Sequence, residues 1–202
     1  WFTAAIANPA QNRIIYYGGK QNLDSLDFTT GLAGDLRILD FSGNPNGAWV
    51  APAVVPATLP DSRMGATLGL DASGKLWMHG GFSAASQANG QIYAFDFGSG
   101  IWSVPGVANA ANQAGAFDCG TVFMTDCERF VSAPAGAAGT QALVLSTPKA
   151  NWQVLQPVNS FHASGASAVF DDVNSRFIVA FGNARQYGVD GGTNSVNVIE
   201  FK

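Results

Sequence analysis

Gly65-Ala66-Thr67-Leu68-Gly69-Leu70-Asp71, followed by Lys75-Leu76-Trp77-Met78-His79-Gly80-Gly81, carries the pattern that decides the fold. Small residues open an apolar run. A polar turn with an aspartate follows, then a basic residue, a second apolar run and two glycines. Short apolar runs bounded by turn formers read as the two strands of a hairpin. The same order recurs at Ala4-Ala5-Ile6-Ala7-Asn8 with Arg13-Ile14-Ile15-Tyr16-Tyr17-Gly18-Gly19. It recurs, without the diglycine, at Gly120-Thr121-Val122-Phe123-Met124-Thr125-Asp126 with Arg129-Phe130-Val131-Ser132-Ala133. A further copy is Ala166-Ser167-Ala168-Val169-Phe170-Asp171-Asp172 with Arg176-Phe177-Ile178-Val179-Ala180-Phe181-Gly182.

Each hairpin is followed, after a loop of variable length, by a third apolar strand, at 35–41, 91–97, 141–146 and 195–201. Trp49, Trp102 and Trp152 come after the first three of these, 53 and 50 residues apart. Self-similarity at about 50 residues is the period of one β-propeller blade of the kelch kind. The diglycine that ends the second strand, the endings Leu39-Asp40-Phe41, Phe95-Asp96-Phe97 and Ile199-Glu200-Phe201, and the later tryptophan resemble the kelch motif. The resemblance spans nearly the whole chain, strongest in the second repeat and weakest in the third. It implies an all-β protein, a β-propeller of four-stranded antiparallel kelch-type blades over 1–202, with repeats at about 3–52, 64–105, 118–156 and 165–202. It also implies function chiefly through binding. On this reading the glycines permit a backbone turn that a side chain would obstruct. Each tryptophan buries about 150–250 Å² against a neighbouring sheet. Both are fold-makers.

The fourth repeat stops at Lys202 directly after its third strand, and only Trp1 and Phe2 precede the first strand. The expectation is a part of a larger propeller, or one that is completed by pairing with other chains, since open sheet edges invite association.

Composition narrows the partners. Apolar residues make up 47% of the 202 residues and charged residues 12%, so the chain can build a large core and a surface of neutral polar groups. A net charge of −4 with only 10 dispersed Lys and Arg speaks against nucleic acid, which is held largely by basic side chains on phosphates. No apolar run nears the roughly 20 residues of a membrane-spanning helix. No basic segment followed by an apolar one marks a signal peptide. Low charge and heavy Asn, Ser and Gly usage suit an extracellular or cell-surface setting, with the cytoplasm as the alternative. Cys119 and Cys127 could pair in such a setting, although regular hairpin pairing would hold them too far apart.

Strands that alternate in direction sort their connections by parity. Short turns (8–12, 71–74, 42–48, 98–100) fall on one face. Long connections (20–34, 82–90, 183–193, 53–63, 105–119, 156–165) fall on the other. Long loops on a rigid scaffold are where binding residues concentrate. The candidate contacts in them are Lys20, Asp24, Asp27, Arg63, Phe82, His162, Arg185, Tyr187 and Asp190. Chemistry is less well provided for. His79 reads as a packed strand residue. His162 has Ser160, Ser164 and Ser167 nearby but neither a nucleophile elbow nor an orienting acid. No phosphate loop, dinucleotide fingerprint or EF-hand calcium loop is present, so neither a catalytic residue nor a cofactor or metal is expected. Copper radical oxidases resembling galactose oxidase carry kelch repeats, but the chain has no histidine pair beside a Tyr/Cys constellation. The expected function is therefore a non-catalytic scaffold for a protein partner. The alternatives are a glycan-binding propeller lectin, an assembly component of an extracellular surface, and a fragment of a galactose-oxidase-like enzyme.

Overall fold

A computed structural model describes residues 3–21, 30–52, 60–71, 73–84, 91–108, 121–124, 129–132, 141–144, 150–154, 167–171, 173–174, 176–180 and 196–200. Among them the regular structure is all β apart from one 3₁₀ turn. The chain forms two compact units, Trp1–Val104 and Pro105–Lys202.

The first unit holds two antiparallel four-stranded meanders. One runs β1 (Ala4–Asn8), β2 (Arg13–Lys20), β3 (Leu32–Asp40), β4 (Ala48–Val50), the other β5 (Arg63–Leu70), β6 (Leu76–Ser83), β7 (Ile92–Asp96), β8 (Ile101–Ser103). Local chemistry sets the hairpin turns. The 3₁₀ turn Pro9–Gln11 ends on Asn12 in the left-handed region, φ 50°, a conformation asparagine tolerates. In the second hairpin the Asp71 carboxylate accepts from the amides of Ser73 and Lys75, both at 2.9 Å, and from the Trp77 indole at 2.7 Å. This is why the polar turn carries an aspartate.

Strand alternation gives each sheet two faces. Ile15, Tyr17, Leu36 and Ile38 line one face of the first sheet and are buried against Leu68, Met78, Phe95 and Trp102 of the second in a single cluster. The Tyr17 ring meets the Trp102 indole edge-on, centroids 5.6 Å apart. β5 is the strand of the second sheet that runs against β1, β2 and β3.

The glycine pairs differ from expectation. They do not end the second strand, which continues through Lys20 and through Ser83. Gly18 and Gly19 take φ of 66° and 110°, and the β2–β3 register shifts between Tyr17 and Gly19. The pair is thus a bulge that bends the strand and lets pairing go on to Leu32, so β3 starts earlier than residue 35. The bend also makes room. A Cβ on Gly18 would lie 2.2 Å from the Arg63 carbonyl oxygen, where β5 begins. The tryptophans also have a definite place, on the fourth strands: Trp49 on β4, Trp102 on β8 and Trp152 on β13.

The second unit has a sheet of β10 (Thr121–Met124), β11 (Arg129–Ser132), β12 (Gln141–Val144) and β13 (Ala150–Val154), antiparallel in that order. β9 (Val107–Ala108) adds to its outer edge in parallel to β13, so this sheet has five strands and is not purely antiparallel. A short segment laid on β13 pairs backbone groups that an open edge would leave to solvent. The last sheet is β14 (Ser167–Asp171), β15 (Arg176–Ala180) and β16 (Val196–Glu200), antiparallel, with three described strands.

Candidate functional site

In the first unit the bases of the long connections converge on one edge. The end of β2 and the entry to β3 are joined by the Gln21 amide donating to the Gly31 carbonyl at 2.9 Å. The Lys20 ammonium closes the same loop by donating to the Thr30 carbonyl at 3.1 Å. The connection into β5 arrives alongside, its Pro60 carbonyl accepting from the Tyr17 hydroxyl at 2.8 Å. Ser62 lies directly against Gly34, where a Cβ would meet its hydroxyl oxygen at 2.7 Å.

Arg63 ties this edge together. Its side chain is wholly buried, and its guanidinium donates to the Gly80 carbonyl at 2.9 Å, the Asp61 carbonyl at 3.1 Å and the Tyr93 hydroxyl at 3.1 Å. It also bonds the Asp61 carboxylate and lies over the Tyr93 ring, 4.6 Å from the centroid. Tyr93 in turn donates to Gln91 at 3.2 Å. An arginine buried this deeply persists because its donors are satisfied and its charge is paired. Burial works to raise the Asp61 carboxyl, but the Ser83 hydrogen bond and the Arg63 charge outweigh it and hold it below its usual range. Burial pushes the Tyr17 hydroxyl well up, against the pull of Arg63. His79 is buried on β6, and desolvation, with the nearby Arg63 charge, lowers it to about 3, so it stays neutral.

A second feature lies on the face of the first sheet turned away from the second sheet. It is an open cleft of about 350 Å³ whose walls include Thr3, Tyr16, Asp35, Arg37 and Trp49. Tyr16 and Trp49 pack with centroids 5.3 Å apart, and Trp49 remains 62% exposed. Arg37 pairs with Asp35 beside them.

The expected contact residues separate into two groups. Lys20 and Arg63 lie at strand ends, the last residue of β2 and the first of β5, and both are buried, with their charges on carbonyls and, for Arg63, the Asp61 carboxylate. Phe82 is half-buried on β6 opposite Met64, on a strand and not in a loop. Asp24, Asp27, His162, Arg185, Tyr187 and Asp190, and the cysteines Cys119 and Cys127, lie outside the described residues. Asp61, Tyr93, Tyr16 and Trp49 were not among the expected site residues. The one available signal was the Asp61-Ser62-Arg63 run opening β5, an acid two residues before an arginine on an otherwise apolar strand. Among the described residues no three of His, Cys, Asp and Glu are grouped to hold a metal ion, and no helix is long and apolar enough to cross a membrane.

No protein-family model matches the chain. Over 103 residues, 49% of its length, the chain is 37% identical to the dynein alpha chain of the flagellar outer arm of Chlamydomonas reinhardtii. It spans 2% of that protein's length.

Proposed function

We propose that the chain is a non-catalytic binding scaffold, built from kelch-like propeller blades, that presents its long connections on one edge to a protein partner. The observation that carries this reading is the Arg63 network. One buried cation fixes the entry to β5, the end of β6 and the entry to β7, and so immobilises the bases of the loops around them. Loops with rigid bases and variable tips suit recognition, because less freedom is lost when a partner binds. Among the described residues the opposite edge holds short turns, such as those closed by Asn12, Asp71 and Asp96. The similarity to a small part of a much larger dynein chain suits a module of this kind. The kelch assignment rests on the repeated hairpins, the diglycines and the fourth-strand tryptophans.

The test is capture by the immobilised chain from an extract of its own source cells. Replacing 22–29 and 85–90 by Gly/Ser segments of equal length should abolish capture of the specific partner. The same replacement at 43–46, on the short-turn edge, should leave it intact. Equal loss in both variants, or loss in neither, would contradict the edge assignment.

A further inference from the structure

The turn between β3 and β4 reads Asn44-Pro45-Asn46-Gly47. Asparagine first, proline second and glycine fourth is the order a type I turn favours. The Gly47 amide closes the turn by donating to the Asn44 carbonyl at 2.8 Å. The Asn44 side chain braces it twice, its oxygen accepting from the Asn46 amide at 2.9 Å and its nitrogen donating to the Gly47 carbonyl at 3.4 Å. Only glycine fits the last place. Gly47 has a φ of 74°, and a Cβ on it would lie 2.9 Å from both Leu39 Cδ1 and Phe41 Cε1.

That requirement has a chemical consequence. A residue without a Cβ leaves its amide nitrogen unhindered, and the preceding residue, Asn46, is exposed and carries a side-chain amide within reach of it. We propose that Asn46 is a self-modification site, at which the Gly47 nitrogen attacks the Asn46 side-chain carbonyl carbon and the isoaspartate formed releases β4 from β3. In the first step the bond from the Gly47 nitrogen to Asn46 Cγ forms as the bond from Cγ to Nδ2 breaks. The proton lost by the Gly47 nitrogen passes to the departing nitrogen, which leaves as ammonia. Water then opens the cyclic imide. Its attack at Cγ gives an ordinary aspartate. Its attack at the backbone carbonyl carbon gives isoaspartate, whose main chain is longer by one carbon.

In the closed turn the Gly47 N–H is committed to the Asn44 carbonyl, so the reaction waits on opening of the turn. An exposed turn held by a few hydrogen bonds opens locally while the rest of the sheet stays paired. β4 is the element at stake. It has three residues, all exposed, and pairs Ala48 with Asp40, Trp49 with Leu39 and Val50 with Ile38. The first of these pairs comes directly after Gly47, so an extra main-chain carbon at position 46 puts all of them out of register. The Trp49 indole leaves the Tyr16 ring with the strand. A second Asn-Gly pair, Asn89-Gly90, lies outside the described residues. None of this depends on the loop edge proposed for binding.

The test is peptide mapping by mass spectrometry, with isoaspartyl methyltransferase labelling, after the full folded chain has stood at mildly alkaline pH. The wild type should gain both the label and the mass of an amide-to-acid exchange at Asn46. Asn46→Gln should gain neither, since glutamine closes its larger ring far more slowly. Asn44→Ala keeps the carbonyl but loses both side-chain braces, and should be modified on the order of tenfold faster. If circular dichroism shows Asn44→Ala unfolded, Asn44→Gly replaces it. The isoaspartyl fraction, separated chromatographically, should exchange its amide hydrogens at 48–50 faster than the unmodified chain. Freshly prepared Asn46→Asp, which adds the charge but not the carbon, should exchange them as the wild type does. No modification of Asn46 in the folded chain under conditions that modify the urea-unfolded one overturns the proposal. So does an Asn44→Ala rate equal to the wild type, unchanged exchange at 48–50 in the isoaspartyl fraction, or fast exchange there in Asn46→Asp.

Discussion

Arg63 and His79 are polar side chains buried in the first unit. Removing one partner of a buried, hydrogen-bonded charge costs more than the pair contributes, because the other is left uncompensated. Arg63→Met should therefore destabilise the chain by about 3 kcal/mol, the lower end of the range for such pairs, since Asp61 keeps contact with water. The double variant with Asp61→Asn should recover part of the loss, as urea unfolding would show. His79 gives a pH dependence with a definite sign. Its folded pKa of about 3 lies below the ordinary 6.5, so the unfolded chain takes up the proton first. Its contribution is complete above 6.5 and is lost as pH falls from 6.5 toward 3, at up to about 1.4 kcal/mol per pH unit. His79→Phe should flatten that part of the stability profile. Residue identity said that His79 is a strand residue, because it sits in an apolar run. It did not say that Arg63 is buried, because its partners Gly80 and Tyr93 lie 17 and 30 residues away in sequence.

At the scale of elements, the hairpins, third strands and tryptophan spacing were legible because each is a local pattern of apolar runs and turn formers. The Gly18–Gly19 bulge was less so: a diglycine looks like a strand end, and only the register shows pairing continuing beyond it. β9 had no signature, since two residues laid in parallel on β13 follow from that edge being available and not from any local pattern. The bulge also predicts a contrast among glycines. Gly18→Ala combines a positive φ of 66° with a Cβ 2.2 Å from a backbone oxygen of β5, and should cost about 3 kcal/mol or more. Gly74→Ala meets only the strain of its φ of 80° in open space, about 1 kcal/mol. Gly43→Ala meets nothing within 4 Å and should be near neutral. Thermal unfolding of the three variants checks the order.

At the largest scale, the packing of two four-stranded antiparallel sheets on one core organises the first unit. The fourth-strand tryptophan is buried in the second sheet and exposed in the first because a neighbouring sheet covers one and not the other. That difference could not be read from composition, where Trp49 and Trp102 sit in equivalent stretches. The candidate contacts were least legible, since the long connections share no sequence pattern with one another. The most direct measurement is a crystal structure of the chain. The proposed scaffold predicts sheets set side by side around an axis, first strands innermost. Sheets stacked in two flat layers would contradict it.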